Sequence, residues 1–396
     1  MCRIKCTLRP NMKCLVHLIV WSFIRDILEN LMEVLLKFNV NLIYSLLMFF
    51  GEFIFGLIIY LYQKKHFFQK KDNSNAKFMG IELISNYNSL KLKDNKYKIF
   101  CLILFAAFFD FIEFTMISEL QSIFKQCSSS IDERLSGILI IFEAIIYRYV
   151  LKLPIFRHQI FSLIMVGICI IITIVTEFIF QSVNLALPLE NFVLFMFFHC
   201  ILQFFNSLLD IIEKYLFEYD YYSPFKILLL EGLLGFLFSL MYFIYKNPIP
   251  DLKKYFAHQQ SYKVALIIIS FIIYTILSGM RNSFRVVVNK IYSPMAATLS
   301  EYILNPIYLI FTLFLKDDFH STVVEKYLYF LINFILSMII SFSACVYNEF
   351  VILFCCRLQY ETYQQISFRS GFIYNSSGPI LIANDDETTE LEIRNE

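Results

Sequence analysis

Apolar residues run through this chain in stretches too long for the core helices of a soluble protein. Nine are clear, at 41–62, 98–120, 131–151, 158–180, 191–214, 223–245, 263–288, 294–316 and 327–356. Each meets the roughly 20 residues that a helix needs to cross ~30 Å of hydrocarbon. A tenth candidate, 15–37, is apolar from Leu15 to Ile24 and then carries Arg25, Asp26, Glu29, Glu33 and Lys37. Arg25, Glu29, Glu33 and Lys37 recur at every fourth position, which predicts one helical face along which opposite charges pair. Such a helix either spans with its polar face inward or lies in the interface. A basic start before a short apolar stretch also fits a secretory signal, but no small-residue cleavage site follows, and that reading is rejected. The pattern predicts an all-α polytopic membrane protein of about ten transmembrane helices.

Composition agrees. Hydrophobic residues make up 58% and charged residues 17% of 396 positions, against roughly 25% charged in a soluble domain. That excludes a disordered, collagenous or disulfide-stapled chain. A net charge of +1 leaves no footprint for nucleic acid. The 45 Phe and 25 Tyr beside only 10 Gly fit an AT-rich coding bias. The ten cysteines form no paired framework. Cys101, Cys169, Cys200 and Cys345 lie inside apolar runs, where thiols behave as small hydrophobes. Cys2, Cys6 and Cys14 with His17 match no standard zinc spacing, so no metal and no cofactor is expected. Cys355 and Cys356 close the last apolar run, either as palmitoylation sites or as two thiols in a helix end.

Charge sets the orientation. With ten spans, one side of the membrane collects 23 basic residues, nine of them lysines between Lys64 and Lys98, and the other side collects 9. The positive-inside rule then places both termini and the Lys-rich loop 63–97 in the cytosol. A nine-span arrangement would put the basic N-terminus outside. The expected organisation is a cytosolic segment 1–14, a first five-helix half 15–180 that includes the polar loop 63–97, a second half 191–356, and an acidic, disordered cytosolic tail 357–396. The sequon Asn375-Ser376-Ser377 falls on the cytosolic side and is expected to be idle.

A weak internal repeat accompanies this layout. Glu52-x3-Gly56 in the second span returns as Glu231-x3-Gly235 in the seventh, and Leu151-Lys152 after the fourth returns as Leu315-Lys316 after the ninth. Copies five spans apart have inverted topology, the arrangement of alternating-access transporters.

Four runs carry a family resemblance: Phe50-Gly51-Glu52-Phe53, Arg134-Leu135-Ser136-Gly137-Ile138-Leu139-Ile140-Ile141-Phe142, Ile212-Glu213-Lys214-Tyr215-Leu216 and Leu230-Glu231-Gly232-Leu233-Leu234-Gly235-Phe236. Across roughly 41–245 their order and spacing resemble the drug/metabolite transporter superfamily, and within it the nucleotide-sugar-transporter-like solute carrier 35 group, its F-type members especially. From 263 on, the likeness lies in span count more than in motif. The resemblance implies two inverted five-helix halves, a central cavity that alternates between cytosol and lumen, a small-molecule substrate, cytosolic termini and an endomembrane location in Golgi, ER or vesicles. It allows a homodimer. Two departures stand out: the first helix is heavily charged, and the small residues that let such helices pack closely are scarce.

Polar residues inside the spans are expensive, so they mark a cavity or a partner. Span six carries His199, Gln203, Asn206 and Asp210 at steps of 4, 3 and 4, all on one face. Span eight carries Arg281, Asn282, Arg285 and Asn289, again on one face. Span nine adds Glu301 and Asn305, followed by Pro306, which predicts a kink. These ten residues are the candidate substrate site, with spans six and eight expected to face each other across it. Interhelical hydrogen bonding, and snorkelling for Arg285, are the plain alternatives. Glu52, Glu113 and Glu231 are candidates for coupling or gating. Asn333, Ser337 and Ser341 in span ten fit helix packing. Acids outnumber bases inside the spans, with Asp110 and Glu143 also deep. A nucleotide sugar wants Arg or Lys opposite its two phosphates, whereas an acid-rich interior suits a cation or proton coupling. The expected function is a carrier of a small polar metabolite, a nucleotide sugar among the candidates. The alternatives are a proton-coupled carrier of an organic cation or vitamin, and a membrane scaffold or receptor that transports nothing. No metal, nucleotide or triad spacing supports an enzyme.

Overall fold

The computed structural model describes residues 3–6, 12–36, 41–69, 76–78, 81–83, 96–123, 137–184, 189–220, 222–257, 260–315, 323–354 and 358–362. The helices are α1 (Lys13–Leu36), α2 (Asn41–Gln69), α3 (Lys96–Ile123), α4 (Ile138–Tyr149), α5 (Arg157–Asn184), α6 (Leu189–Glu218), α7 (Pro224–Lys246), α8 (Ile249–Ala257), α9 (Ser261–Ile291), α10 (Pro294–Glu301), α11 (Asn305–Leu315) and α12 (Val323–Tyr347). Two small antiparallel ladders accompany them: β1 (Arg3–Cys6) with β4 (Val351–Phe354), and β2 (Ala76–Phe78) with β3 (Ile81–Leu83). The protein is an all-α membrane protein in which seven helices, α2, α3, α5, α6, α7, α9 and α12, are long and apolar enough to cross a bilayer. Helix α1 is too charged to join them by composition, α4 has 12 residues, and α10 and α11 are separated by a turn of 3-10 helix at Tyr302–Leu304.

Burial is arranged inside out. Along α5, Ile160, Ile164, Ile168, Ile171, Val175 and Ile179 face outward, while His158, Ser162, Thr173 and Thr176 are buried. Ser162 and Thr173 return their hydroxyls to the carbonyls of His158 and Cys169, which satisfies them without water. Helix α1 follows the same rule. Val16, Val20 and Ile24 face outward and Cys14, Leu15, Leu18 and Ser22 face inward. Asn30, also inward, donates to the Tyr308 hydroxyl of α11. Of the two expected placements for this helix, the burial matches the one with its polar face turned inward. At the start of the expected i+4 charge ladder Arg25 faces Glu29 and also bonds its neighbour Asp26 at 2.8 Å. The side chains of Glu33 and Lys37 lie outside the described residues.

One bend agrees with the sequence reading and one element end differs. Span nine bends at Tyr302–Leu304, in the turn before Pro306, where the proline offers no amide to the Tyr302 carbonyl. Span ten stops at Tyr347 rather than 356. Glu349 takes a left-handed φ of 57°, which ends the helix, and the chain then extends as β4 to pair with β1, Ile4 opposite Leu353. Cys355 and Cys356 lie outside the described residues, as do most of loop 63–97 and the tail from 363. Within that loop, α2 continues to Gln69 and the β2–β3 hairpin follows.

Glycine is scarce but concentrated. A Cβ at Gly232 of α7 would sit 2.5 Å from the Phe53 amide nitrogen and 2.8 Å from Glu52 Cβ of α2. At Gly56 of α2 it would sit 2.7 Å from the Leu229 amide nitrogen of α7. Gly51 of α2 and Gly279 of α9 bring that pair of helices into backbone contact in the same way. The small residues absent elsewhere are spent where α2 crosses α7 and α9.

The packing pairs follow a pattern. Helix α1 packs on α9, and α3 on α6. Helix α2 packs on α9, and α3 on α7. Helix α1 packs on the α10–α11 segment, and α4 on α6. Helices α2 and α7 pack on each other, as do α5 and α12. Taking α1 to α5 as counterparts of α6, α7, α9, α10–α11 and α12, every one of these contacts has its image in the set.

Candidate functional site

The polar residues of the bundle converge on the C-terminal half of α9. From Leu277 to Asn289 this helix is buried on nearly all sides by α1, α2, α6, α7 and α10. A helix enclosed in this way can carry polar groups only if its neighbours answer them. Arg285 does so toward α6, donating from Nη1 to Asp210 and from Nη2 to Glu213 Oε1 at 2.9 Å. One turn later, Asn289 donates from Nδ2 to Glu213 Oε2 at 2.8 Å and to the Asp210 carbonyl at 3.0 Å. One helical face of α9 thus grips Asp210 and Glu213, which lie on one face of α6.

Lys214 closes the same junction. Its ammonium donates to the carbonyls of Asn289, Lys290 and Tyr292 at 3.0–3.1 Å, and Glu218 lies 2.9 Å away as counterion. The last carbonyls of a helix have no partner within it and carry the negative end of its dipole. A buried lysine from α6 therefore caps α9.

A second chain of bonds runs the other way from α9. Arg281 Nη2 bonds both carboxylate oxygens of Glu301 on α10, at 2.7 and 2.8 Å, and Nη1 donates to Asn282 Oδ1 at 2.8 Å. Asn282 Nδ2 donates to Glu52 of α2. Around these sit further acids. Glu231 of α7 faces Glu213, Glu52 and Asp110 as well as Arg285. Glu143 of α4 faces Asp210 and accepts from Thr298 of α10 at 2.9 Å. Glu52, Glu143, Glu213 and Glu231 are each no more than 2% exposed.

Of the residues singled out from sequence, Asp210, Arg281, Asn282, Arg285, Asn289, Glu301, Glu52 and Glu231 belong to this connected set. His199, Gln203 and Asn206 continue the α6 face away from it. His199 and Gln203 are buried, and His199 stacks on Phe195 with ring centroids 6.0 Å apart. Asn305 opens α11, and Glu113 lies one turn along α3 from Asp110; both are partly buried. Sequence reasoning missed Glu213 and Lys214 as site residues. The spacing of 4, 3 and 4 that selected the α6 face continues with a step of 3 to Glu213, so periodicity alone contained it. Lys214 carried no such signal, since a lysine near a span end reads first as a cytosolic anchor. Asp110 and Glu143 were visible as deep acids without a partner assigned.

An aromatic layer borders the set. Phe109 of α3 stacks on Phe205 of α6, centroids 5.2 Å apart, each the chain neighbour of a polar residue, Asp110 and Asn206. Phe108 and Phe111 meet Phe238 of α7. No protein-family model and no characterised protein matches the chain.

Proposed function

We propose that this protein is an alternating-access carrier of a small polar solute, built from ten crossings in two inverted five-helix halves, and that the solute is an organic cation. The observation that carries the reading is the polar set on α9. Buried acids from five helices meet there, and both arginines of the helix are already bonded by carboxylates. A nucleotide sugar needs cations free to take its two phosphates. An excess of buried carboxylates beside a phenylalanine layer suits a positively charged, partly apolar solute instead.

The ten-span, two-half arrangement has support of its own. Pairing of β1 with β4 puts the segments before α1 and after α12 on one side of the membrane, so an even number of crossings separates them. Seven helices qualify by length and apolarity, and adding α1, α4 and the α10–α11 segment makes ten. These image contacts are what a pseudo-two-fold axis relating helices five spans apart would produce, and the matching Glu-x3-Gly motifs of α2 and α7 pack together. Some contacts lack an image among the described residues, α9 on α10 and α6 on α9 foremost. Helix α6 packs on α9 through Asp210 and Arg285, whereas the counterparts α1 and α3 make no comparable contact among the described residues. An inverted-repeat carrier opens one side by giving up such a contact and closes the other by making its image. The basic bias of the sequence puts the closed α6–α9 side toward the cytosol. The endomembrane location with both termini cytosolic rests on that bias and on the family resemblance.

Uptake by reconstituted protein tests the substrate class. For a cationic solute, Glu52→Gln should lower the rate at least tenfold, while Arg281→Ala in an otherwise intact, inserted protein has the smaller effect. The reverse ranking, with uptake of nucleotide sugars, would replace the cation by an anionic substrate.

A further inference from the structure

The charges around α9 do not balance. Glu52, Asp110, Glu143, Asp210, Glu213 and Glu231 interact with one another and with Arg285. Lys214 is occupied by the end of α9 and by Glu218, and Arg281 by Glu301. Arg285, joined by Arg281 at Asp110, therefore stands against six acids inside a bundle whose outer surface is apolar. The hydrogen bonds report the same deficit independently. Glu231 Oε1, Glu143 Oε2 and Asn289 Oδ1 are buried, and none has a donor among the described residues. All three are acceptors, so this part of the site lacks protons or a donor-bearing cation; the buried Nε of Arg281, a donor likewise without a partner among the described residues, belongs to the guanidinium bonded to Glu301. The shortage is sharpest between α6 and α7. There the buried Glu213 and Glu231 carboxyls face each other, and two facing carboxyls can bond only if one of them carries a proton.

We propose that Glu213 and Glu231 are a proton-binding pair for which the cationic group of the solute competes, so that the carrier exchanges protons for solute. The proposal rests on the carrier reading and adds its coupling. In the empty state the pair holds one proton. When the cationic group arrives, the carboxyl O–H breaks and its proton leaves to water on the open side. The two carboxylates then face the solute's positive charge, and no electron transfer is involved. Every neighbour of the pair bears on this exchange: Arg285 and Asn289 from α9, Asp210 from α6, Asp110 from α3 and Glu52 from α2, with Glu143 of α4 acting through Asp210. Arg285 keeps Glu213 partly neutralised, which leaves Glu231, the member with the unpaired oxygen, as the stronger claimant for the proton. Because proton and cation occupy the same oxygens, both cannot be bound in one half-cycle, and that exclusion is what couples their movements.

Two measurements on the full-length protein test this. Infrared spectra of the purified protein in lipid nanodiscs at neutral pH should show the stretch of a protonated carboxyl. Glu231→Gln, which breaks no bond to Arg285, should remove one carboxyl's worth of it, and Glu213→Gln should do the same if that variant folds. In proteoliposomes with an acidic interior, uptake of labelled tetraethylammonium or guanidinium should be at least tenfold faster than without the gradient, and Glu231→Gln should abolish the acceleration. A wild-type band unchanged in Glu231→Gln, or uptake indifferent to the gradient, overturns the exchange while leaving carriage of cations intact. A band that Glu231→Gln removes, with neither probe taken up under any gradient, instead overturns the cation-carrier reading and leaves the proton pair standing.

Discussion

Replacing Arg285 with alanine is expected to destabilise the protein more than any other single substitution in the polar set, by about 3–5 kcal/mol. The guanidinium holds Asp210 and Glu213 against α9 and is the main cation facing the surrounding acids. Truncation leaves two carboxylates buried, without their donor and next to further negative charge. The loss should appear as a large drop in the melting temperature of the detergent-purified protein and in the amount recovered from membranes. Its origin predicts its remedy. Adding Asp210→Asn and Glu213→Gln to Arg285→Ala removes the unmatched charges and should restore a large part of the stability, as should lowering the pH. An Arg285→Ala protein as stable as the wild type would mean that the carboxyls around it are already neutral without it.

The second large effect is expected at a residue with no side chain. Gly232→Ala would bring a methyl group to 2.5 Å from the Phe53 backbone nitrogen and 2.9 Å from the Glu52 carbonyl carbon. Backbone atoms cannot turn aside as a flexible side chain can, so α2 and α7 must separate. Overpacking of this kind costs about 1–3 kcal/mol for one methyl group, and Gly232→Leu should prevent stable assembly altogether. Gly167→Ala on α5 is the control. Nothing lies within 4 Å of a Cβ there, and alanine is the better helix former by about 0.5–1 kcal/mol, so this change should be neutral or stabilising. Thermal unfolding of the two alanine variants side by side checks the assignment. Equal behaviour would contradict a close α2–α7 crossing.

Hydropathy located the long helices well because a lipid-facing helix must be apolar over its whole length, and that requirement leaves a continuous signal. It failed at Val351–Phe354, where four apolar residues continue the last span in composition but form a strand. The partner that makes it one, Arg3–Cys6, lies at the other end of the chain and leaves no local mark. The bend of span nine was legible, because Pro306 has no amide to offer the Tyr302 carbonyl one turn back, and the helix breaks there. Counting glycines misled in a different way. Most of those in the described helices stand where α2 crosses α7 and α9, and position, not number, decides how closely helices pack. The α6 face was legible from spacing as far as Asp210, and one more step of three reaches Glu213. The α9 face was legible too, but not its division of labour. Arg281 and Asn282 turn to α10 and α2, and Arg285 and Asn289 to α6, because five helices surround α9 and each takes the positions nearest to it. Lys214 as a cap on α9 depends on a contact between helices far apart in sequence, and no periodicity announces that.

Access to the polar set from both sides of the membrane tests the central claim most directly. Asn206, partly buried on the α6 face one turn above Asp210, becomes the sole thiol when Asn206→Cys is placed in a cysteine-free background. A membrane-impermeant maleimide is then applied from the cytosolic or the luminal side, with and without a bifunctional crosslink holding the α6–α9 junction shut. A carrier predicts labelling from either side when the junction is free to open, and from the luminal side alone when it is held shut. Labelling from one side only in both conditions, or from neither, would contradict alternating access and make the polar set the fixed core of a membrane scaffold.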